Sequence, residues 1–292
     1  MNIIISGAGG QLGKDCLGVL QGEHDVRGYT SRELDITDAQ GVLREITRFG
    51  PDVVINCAAY TAVDNCEKEQ ELCAAVNERG AENLATACAE TGCRLIHVST
   101  DYVFDGNKPV PEPYTEQDPV SPLSAYGRTK LAGEQAIVRH MDNYLILRTA
   151  WLYGIGGKNF LKTMLRLAIN DPRQTIRVVD DQYGSLTWSM TLARQIKKLL
   201  SSDLTGIAHA TAENSSTWFG GAQFFLETMA VDFSMEPCTT ADYPTPAHRP
   251  ANSILENKRL KEHGLHLMQD WKQDVLDFVD LYREKLLAEA AS

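Results

Sequence analysis

Ser6-Gly7-Ala8-Gly9-Gly10-Gln11-Leu12-Gly13 follows a short apolar run, Ile3 to Ile5, and leads into a segment of helical spacing. Gly7, Gly10 and Gly13 recur every three residues. Glycine permits a tight turn and lets the backbone approach a pyrophosphate, and the last of the three lets helix and sheet pack closely. The free amides at the helix start then meet negative charge. A glycine triplet acquires meaning from a strand before it and a helix after it, and both are predicted here.

Working outward, residues 2–6 read as a buried strand and 11–21 as a helix with Leu12, Cys16, Leu17 and Leu20 on one face. Residues 25–29 read as a weaker strand. Asp38 is expected to cap a helix running to about residue 49. Strands are predicted over 52–57, 94–99 and 144–148. A single long helix is predicted over 67–91, closed by Gly92, and another over 124–140. Such alternation implies an α/β fold, a Rossmann-type doubly wound parallel sheet covered on both faces. The second half is less regular, with helices expected over 159–170, 189–200, 217–230 and 271–288. The expected division is a nucleotide-binding domain over 1–150, with part of 176–205 returning to it. A smaller C-terminal substrate-binding domain, mainly 151–292, would complete a cleft at the carboxyl ends of the strands.

Bulk properties limit the function classes. The 292 residues suffice for one large or two intimate domains, and a 43% hydrophobic and 23% charged composition is that of a globular protein. No apolar stretch approaches the ~20 residues of a membrane span, and no secretory signal is apparent. Seven cysteines, an odd number without CxxC spacing, fit a reducing cytoplasm and speak against a zinc site. The net charge of −11, without a basic patch, argues against nucleic acid as a partner. It leaves nucleotides open, since local amides and a few cations can hold them.

Two further stretches bear on chemistry. The second strand ends at Tyr29-Thr30-Ser31-Arg32-Glu33, where an NAD enzyme usually places an acid for the ribose hydroxyls. Ser31 and Arg32 suit a 2′-phosphate better, which favours NADPH, while Glu33 keeps NADH open. Tyr126 and Lys130, at i and i+4, share one helical face, so the ammonium is expected beside the phenol, lowering its pKa from about 10. A phenol so placed can protonate a carbonyl oxygen as hydride reaches the carbon. The stretch Ser99-Thr100-Asp101 ends a predicted strand, and one of its hydroxyls is expected to join Tyr126 in polarising that carbonyl.

These motifs resemble the extended short-chain dehydrogenase/reductases, and more closely the dTDP-4-dehydrorhamnose reductase family. The resemblance runs nearly end to end: SGAGGQLG at 6–13, LDITD at 34–38, NCAAYTAVDNCE at 56–67, STDYVFDG at 99–106, YGRTKLAGE at 126–134, RTAWLYG at 148–154, NF at 159–160, DDQYGSLT at 180–187 and RPANS at 249–253. It implies an NADPH-dependent reduction of the C4 keto group of a dTDP-linked deoxysugar, dTDP-4-dehydro-L-rhamnose. Tyr126 would donate the proton, Lys130 would hold the nicotinamide ribose, Thr100 would tune the phenol and Asp101 would contact the sugar. Gly10, Gln11 and Leu12 would line the pyrophosphate, Asp35 and Ile36 would flank the adenine, and Ala59, Tyr60 and Thr61 would form the cofactor floor. Trp151 would pack on the sugar nucleotide, and Asn159 and Arg249 are candidates for its diphosphate or sugar. An aromatic and an arginine from the second half are what a nucleotide diphosphate would need.

There are departures from the family pattern. Leu186 stands where relatives commonly have proline. Some relatives carry a magnesium-linked dimer; Asp15 could serve there, but Met190 occupies the place of a second acid, so no metal is expected. Two other readings stay open: a reductase or epimerase acting on another nucleotide sugar, and a non-catalytic regulatory subunit, since the regulatory subunit of methionine adenosyltransferase resembles the same family. The sequence leaves the oligomeric state open between monomer and homodimer.

Overall fold

The computed structural model describes residues 1–291. The first half alternates as expected: β1 (Asn2–Ser6), α1 (Gln11–Leu20), β2 (Asp25–Tyr29), α2 (Ala39–Phe49) and β3 (Val53–Asn56), then the short helices α3 (Val63–Cys66) and α4 (Gln70–Ala74). After them come α5 (Gly80–Thr91), β4 (Arg94–Thr100), α6 (Ala125–His140) and β5 (Tyr144–Thr149). In the second half β6 (Leu152–Tyr153), α7 (Phe160–Asn170), β7 (Thr175–Val179), β8 (Tyr183–Gly184), β9 (Thr187–Trp188) and α8 (Ser189–Leu199) lead to β10 (Gly206–His209). The chain ends with β11 (Ser216–Thr217), α9 (Trp218–Thr228), β12 (Ser234–Cys238), α10 (Lys258–Glu262) and α11 (Trp271–Ala290).

The main sheet has the order β10-β5-β4-β3-β1-β2, with every pairing parallel. Strand order reverses between β1 and β3, and open α/β sheets bind ligands in the crevice at such a point. Side chains alternate across the sheet. Ile3, Ile5, Val53 and Ile55 pack with Leu12, Cys16, Leu192 and Ile196 on one face. Ile4, Val54, Leu95 and Ile146 pack with Val42, Leu84 and Ile137 on the other. Both faces are therefore apolar, as a buried parallel sheet requires.

A second core gathers Leu161, Leu165, Trp188, Phe225, Trp271 and Phe278 from α7, α9, α11 and β9. The chain crosses between the two cores more than once: α8 lies in the sheet core and β10 closes the sheet edge beside β5. Arg94, buried on β4, ties this return in place by donating to the carbonyls of Leu199, Ser202 and Leu204 at 2.6–3.0 Å.

Two local expectations are corrected. The helix expected over 67–91 is interrupted. It passes from α4 through a π-helical turn, Ala75–Arg79, before α5 begins. The wider turn places Asn77 in the interior, where its amide brackets the backbone of Tyr60: Tyr60 N donates to Asn77 Oδ1 (2.9 Å) and Asn77 Nδ2 donates to Tyr60 O (3.1 Å). Single π turns of this kind often occur at functional sites. Asp38 precedes α2 but its side chain makes no capping hydrogen bond and lies 3.7 Å from Arg44 instead. Gly92 does terminate α5, in the left-handed conformation. No helix among the described residues is long and apolar enough to cross a membrane.

Candidate active site

The glycine turn is shaped for a close ligand. Gly7 has a φ of +72°, and a Cβ there would lie 2.6 Å from the Ala58 nitrogen. At Gly13 a Cβ would lie 2.3 Å from the Gly7 carbonyl oxygen, so only glycine lets α1 sit this near β1. Gly10 caps α1 without a side-chain hydrogen bond, and the first turn carries no acidic residue. The leading amides and the positive end of the helix dipole therefore face outward, fit for an anion such as a pyrophosphate.

That turn opens into a cavity of about 570 Å³. Gly10, Gln11, Leu12 and Gly13 line it together with Thr100, Asp101, Tyr126 and Lys130. Trp151, Asn159 and Trp218 line it from the second half, and Ala59 and Thr61 from the first. Three buried hydroxyls of residues on its wall, Ser99 Oγ, Thr149 Oγ1 and Tyr153 OH, have no hydrogen-bond partner among the described residues. Orphaned donors at the carboxyl edge of a sheet suit a polar ligand. The residues present thus fit both halves of a dinucleotide–substrate pair.

Tyr126 enters on the first turn of α6, whose N-cap Ser124 accepts from Gly127 N at 3.1 Å. Its ring stands edge-on to Tyr102 at 5.5 Å. The expected lowering of the phenol pKa by Lys130 is not what the geometry gives. Burial pushes the Tyr126 phenol up, with the neighbouring Thr100 hydroxyl pulling the other way. Lys130 Nζ points to the Val98 carbonyl (2.7 Å) and to His97 Nε2 (3.2 Å). Sharing a helical face brings the two residues into one cavity, but the lysine head is turned inward by those partners. Burial also lowers Lys130, to about 8. Thr100 donates to Asp101 Oδ1 at 2.9 Å, and burial raises the Asp101 carboxyl to about 6.

Other expected residues divide by position. Trp151 has a φ of +48°, uncommon for a bulky residue, and such strain concentrates at functional sites. Its ring stacks on Trp218 with centroids 3.6 Å apart, and Gly184 supports it, since a Cβ there would sit 2.5 Å from the indole. Asn159 lines the cavity, but its amide is engaged: Oδ1 caps α7 through Lys162 N, and Nδ2 donates to Gln11 Oε1 (2.9 Å) and Gly154 O (2.8 Å). It joins the two halves at the mouth. Arg249 lies beside the cavity rather than on its wall, paired with Asp64 at 2.7 Å and 3.4 Å from the Tyr102 hydroxyl.

Ser31, Arg32 and Asp35 are exposed on the rim beyond β2, outside the cavity wall, and Ile36 is buried beneath them. Tyr60 is held through its backbone by Asn77, and its hydroxyl donates to Glu69. Glu33 folds back on its own turn, accepting from Thr30 N and Oγ1 at 2.8 Å each. Arg32 is left beside the rim while Glu33 is engaged.

Sequence reasoning missed Trp218, Asn77 and His97, and quoted Asn56 without assigning it a role. His97 and Asn56 form a buried chain beneath the cavity. Asn56 Oδ1 accepts from Ser6 Oγ (2.7 Å) and Ala58 N (3.0 Å), while Asn56 Nδ2 meets His97 Nδ1 (2.9 Å). Polar residues inside the otherwise apolar strands β1, β3 and β4 were the available signal.

Comparison with known proteins sets this geometry in context. The model of the RmlD substrate binding domain matches residues 1–284. A dTDP-4-dehydrorhamnose reductase of Mycobacterium tuberculosis is 42% identical over 276 residues, covering 92% of this chain and 90% of the relative. A dTDP-4-keto-6-deoxy-D-glucose reductase of Streptomyces niveus is 38% identical over 271 residues, 92% of this chain and 93% of its own. The solved structure of a dTDP-4-dehydrorhamnose reductase from Bacillus anthracis, in complex with NADP, superposes with a TM-score of 0.93 at 37% identity, covering 96% of this chain and 99% of that one.

Proposed function

The chain belongs to the RmlD family, whose model spans nearly its whole length, and from that membership we propose that it is an NADPH-dependent reductase converting dTDP-4-dehydro-L-rhamnose to dTDP-L-rhamnose. The observation that carries the reading is that the glycine turn, Thr100, Tyr126 and Lys130 line one cavity with the Trp151–Trp218 stack.

The residues divide the work. Gly10, Gln11, Leu12 and Gly13 would hold the pyrophosphate, with Ala59, Tyr60 and Thr61 as floor. Arg32, with Ser31, would meet the 2′-phosphate, while Glu33 stays folded on its own turn, accepting from Thr30. Asp35 and Ile36 would flank the adenine. NADPH, when bound, supplies the hydride. Tyr126 keeps its proton because burial raises its pKa, so the phenol is loaded as an acid for the developing alkoxide. The orphan hydroxyl of Ser99 would donate to the substrate carbonyl, Thr100, whose own proton goes to Asp101 Oδ1, would tune the phenol, and Asp101 would take a sugar hydroxyl. Trp151 and Trp218 offer a flat apolar wall for the sugar nucleotide, while Arg249 at the margin would attract its diphosphate. Lys130 would hold the nicotinamide ribose. Seven free thiols fit residence in the reducing cytoplasm.

The test follows NADPH absorbance with purified protein and a panel of 4-keto dTDP-sugars. Stoichiometric oxidation with dTDP-4-dehydro-L-rhamnose supports the reading. Preference for the 4-keto-6-deoxy-D-glucose form would favour the activity named for the Streptomyces relative. Sugar conversion without net NADPH consumption would make the protein an epimerase, and no conversion with intact binding would leave a regulatory subunit.

A further inference from the structure

Beneath the cavity, four polar side chains cross the sheet in one line: Ser6 on β1, Asn56 on β3, His97 on β4 and Lys130 from α6. Each is at most 1% exposed. The first contacts set the sense of the rest. Ala58 N–H donates to Asn56 Oδ1, as does Ser6 Oγ, so the amide orientation is fixed by a backbone donor that cannot reverse. Asn56 Nδ2 must then donate to His97 Nδ1, 2.9 Å away. A neutral imidazole that accepts at Nδ1 carries its proton on Nε2. Burial holds His97 neutral, and Lys130 adds to this whenever it carries its charge.

Nε2–H therefore faces Lys130 Nζ at 3.2 Å. An ammonium has three hydrogens and no lone pair, so it meets this donor with another donor. The neutral amine has the lone pair to accept it and still donates to the Val98 carbonyl at 2.7 Å. All contacts in the line are satisfied together only when Lys130 is uncharged.

We propose that His97, locked as its Nε2–H tautomer through Asn56, is a positioning residue that disfavours the charged form of Lys130. The proposal deepens the reductase reading, in which Lys130 meets the cofactor ribose, and rests on that reading for its relevance to turnover. Lys130 is drawn toward the charged state by the other groups that face it, Glu134, Cys57 and Cys73. Glu134 is itself engaged by Arg148 at 2.7 Å. Its depressed midpoint thus survives a carboxylate on the next helical turn.

Two substitutions, read together with the His97 ¹⁵N shifts, separate the tautomer from burial and from the charge that Asn56→Asp adds. Asn56→Asp keeps the shape but turns the atom facing His97 into an acceptor. The imidazole then protonates at Nδ1, presents Nε2 as an acceptor and supports the ammonium. His97→Gln must give its Oε1 to Asn56 Nδ2 and its amino group to Lys130, which preserves the original sense. The probe is the ¹³Cε resonance of Lys130 in ¹³C-lysine-labelled protein, assigned with Lys130→Arg, and it reads the lysine whether or not the protein reduces any sugar. We expect a wild-type midpoint near 8, a rise of about one pH unit or more in Asn56→Asp, roughly tenfold in proton affinity, and a change within about 0.3 pH unit in His97→Gln. A wild-type midpoint at the ordinary lysine value of about 10.4 overturns the proposal, as does an unshifted Asn56→Asp. The wild type alone also decides: ¹⁵N shifts of His97 should report Nε2–H, and an Nδ1–H tautomer overturns the proposal even where the variant does not fold.

Discussion

Tyr126→Phe removes one oxygen and little else. The ring keeps its edge-on contact with Tyr102 at 5.5 Å and its buried place at the head of α6. The hydroxyl of Thr100 stays satisfied after the change, because it donates to Asp101 Oδ1 (2.9 Å) and accepts from Tyr102 N (3.2 Å). No buried group is orphaned, so the stability change should stay within about 1 kcal/mol, a few degrees in Tm. Catalysis is another matter. A positioned general acid contributes typically 10²–10⁴-fold, or about 3–5 kcal/mol of barrier, and phenylalanine has no proton to give. We expect kcat for NADPH oxidation with the 4-keto dTDP-sugar to fall by roughly 100- to 10,000-fold. The Kd for NADPH should change less than about threefold, since the substitution leaves the glycine turn untouched. Stopped-flow absorbance gives the rate, and quenching of protein fluorescence by NADPH gives the affinity. Turnover within about tenfold of wild type would remove the phenol from the mechanism. A loss of activity accompanied by loss of cofactor binding would show that Tyr126 packs the site rather than reacting in it.

Arg32→Ala should weaken NADPH by roughly tenfold and leave NADH nearly unchanged, the loss of one exposed charge-assisted contact; equal effects on both cofactors in a binding titration would sink the phosphate assignment. Trp218→Ala takes away the partner of a 3.6 Å stack, so KM for the sugar nucleotide should rise roughly three- to tenfold with NADPH affinity intact, and an unchanged KM would place the stack outside the substrate path. Asp101 carries its own pH signature. Burial raises its carboxyl from 3.8 to about 6, so the folded protein keeps a proton that the unfolded chain has lost, and stability falls as pH rises between those values. That component is about 3 kcal/mol. Asp101→Asn lacks it, and urea melts should show the variant gaining on the wild type by that order across the window; parallel curves from pH 4 to 7 would refute it.

Much of this arrangement was legible in the residues themselves. The unbroken apolar triplet Ile3-Ile4-Ile5, of β-branched residues ahead of a glycine turn, fits a central parallel strand, whose alternate side chains meet different helices on the two faces. The glycines at 7, 10 and 13 announced the turn, and the spacing of Tyr126 and Lys130 put both in one cavity. Direction within the cavity was not legible. Helical spacing places two Cβ atoms on one face, but the lysine head follows the polar partners it finds, and those come from residues 97 and 98 on another element. The break in the helix before α5 also escaped, since residues 67–91 have acceptable helix propensity. The π turn is selected by a tertiary demand, the two backbone groups of Tyr60 that Asn77 satisfies. Trp218, on the helix expected over 217–230, drew no reading of its own, and only the fold lays it on Trp151.

The outermost strand of the nucleotide sheet has a consequence for how the molecule comes to exist. β10 ends at His209, far beyond Thr149, and α8, made just before it, shields Leu12, Cys16 and Leu20 on the side of α1 that no earlier helix covers. A ribosome that has emitted only the first half has therefore released an unfinished layer with greasy flanks, and completion must wait until synthesis passes His209. A gene trimmed at residue 150 would express a sticky fragment in place of a miniature cofactor binder, and heat should melt both halves in one transition.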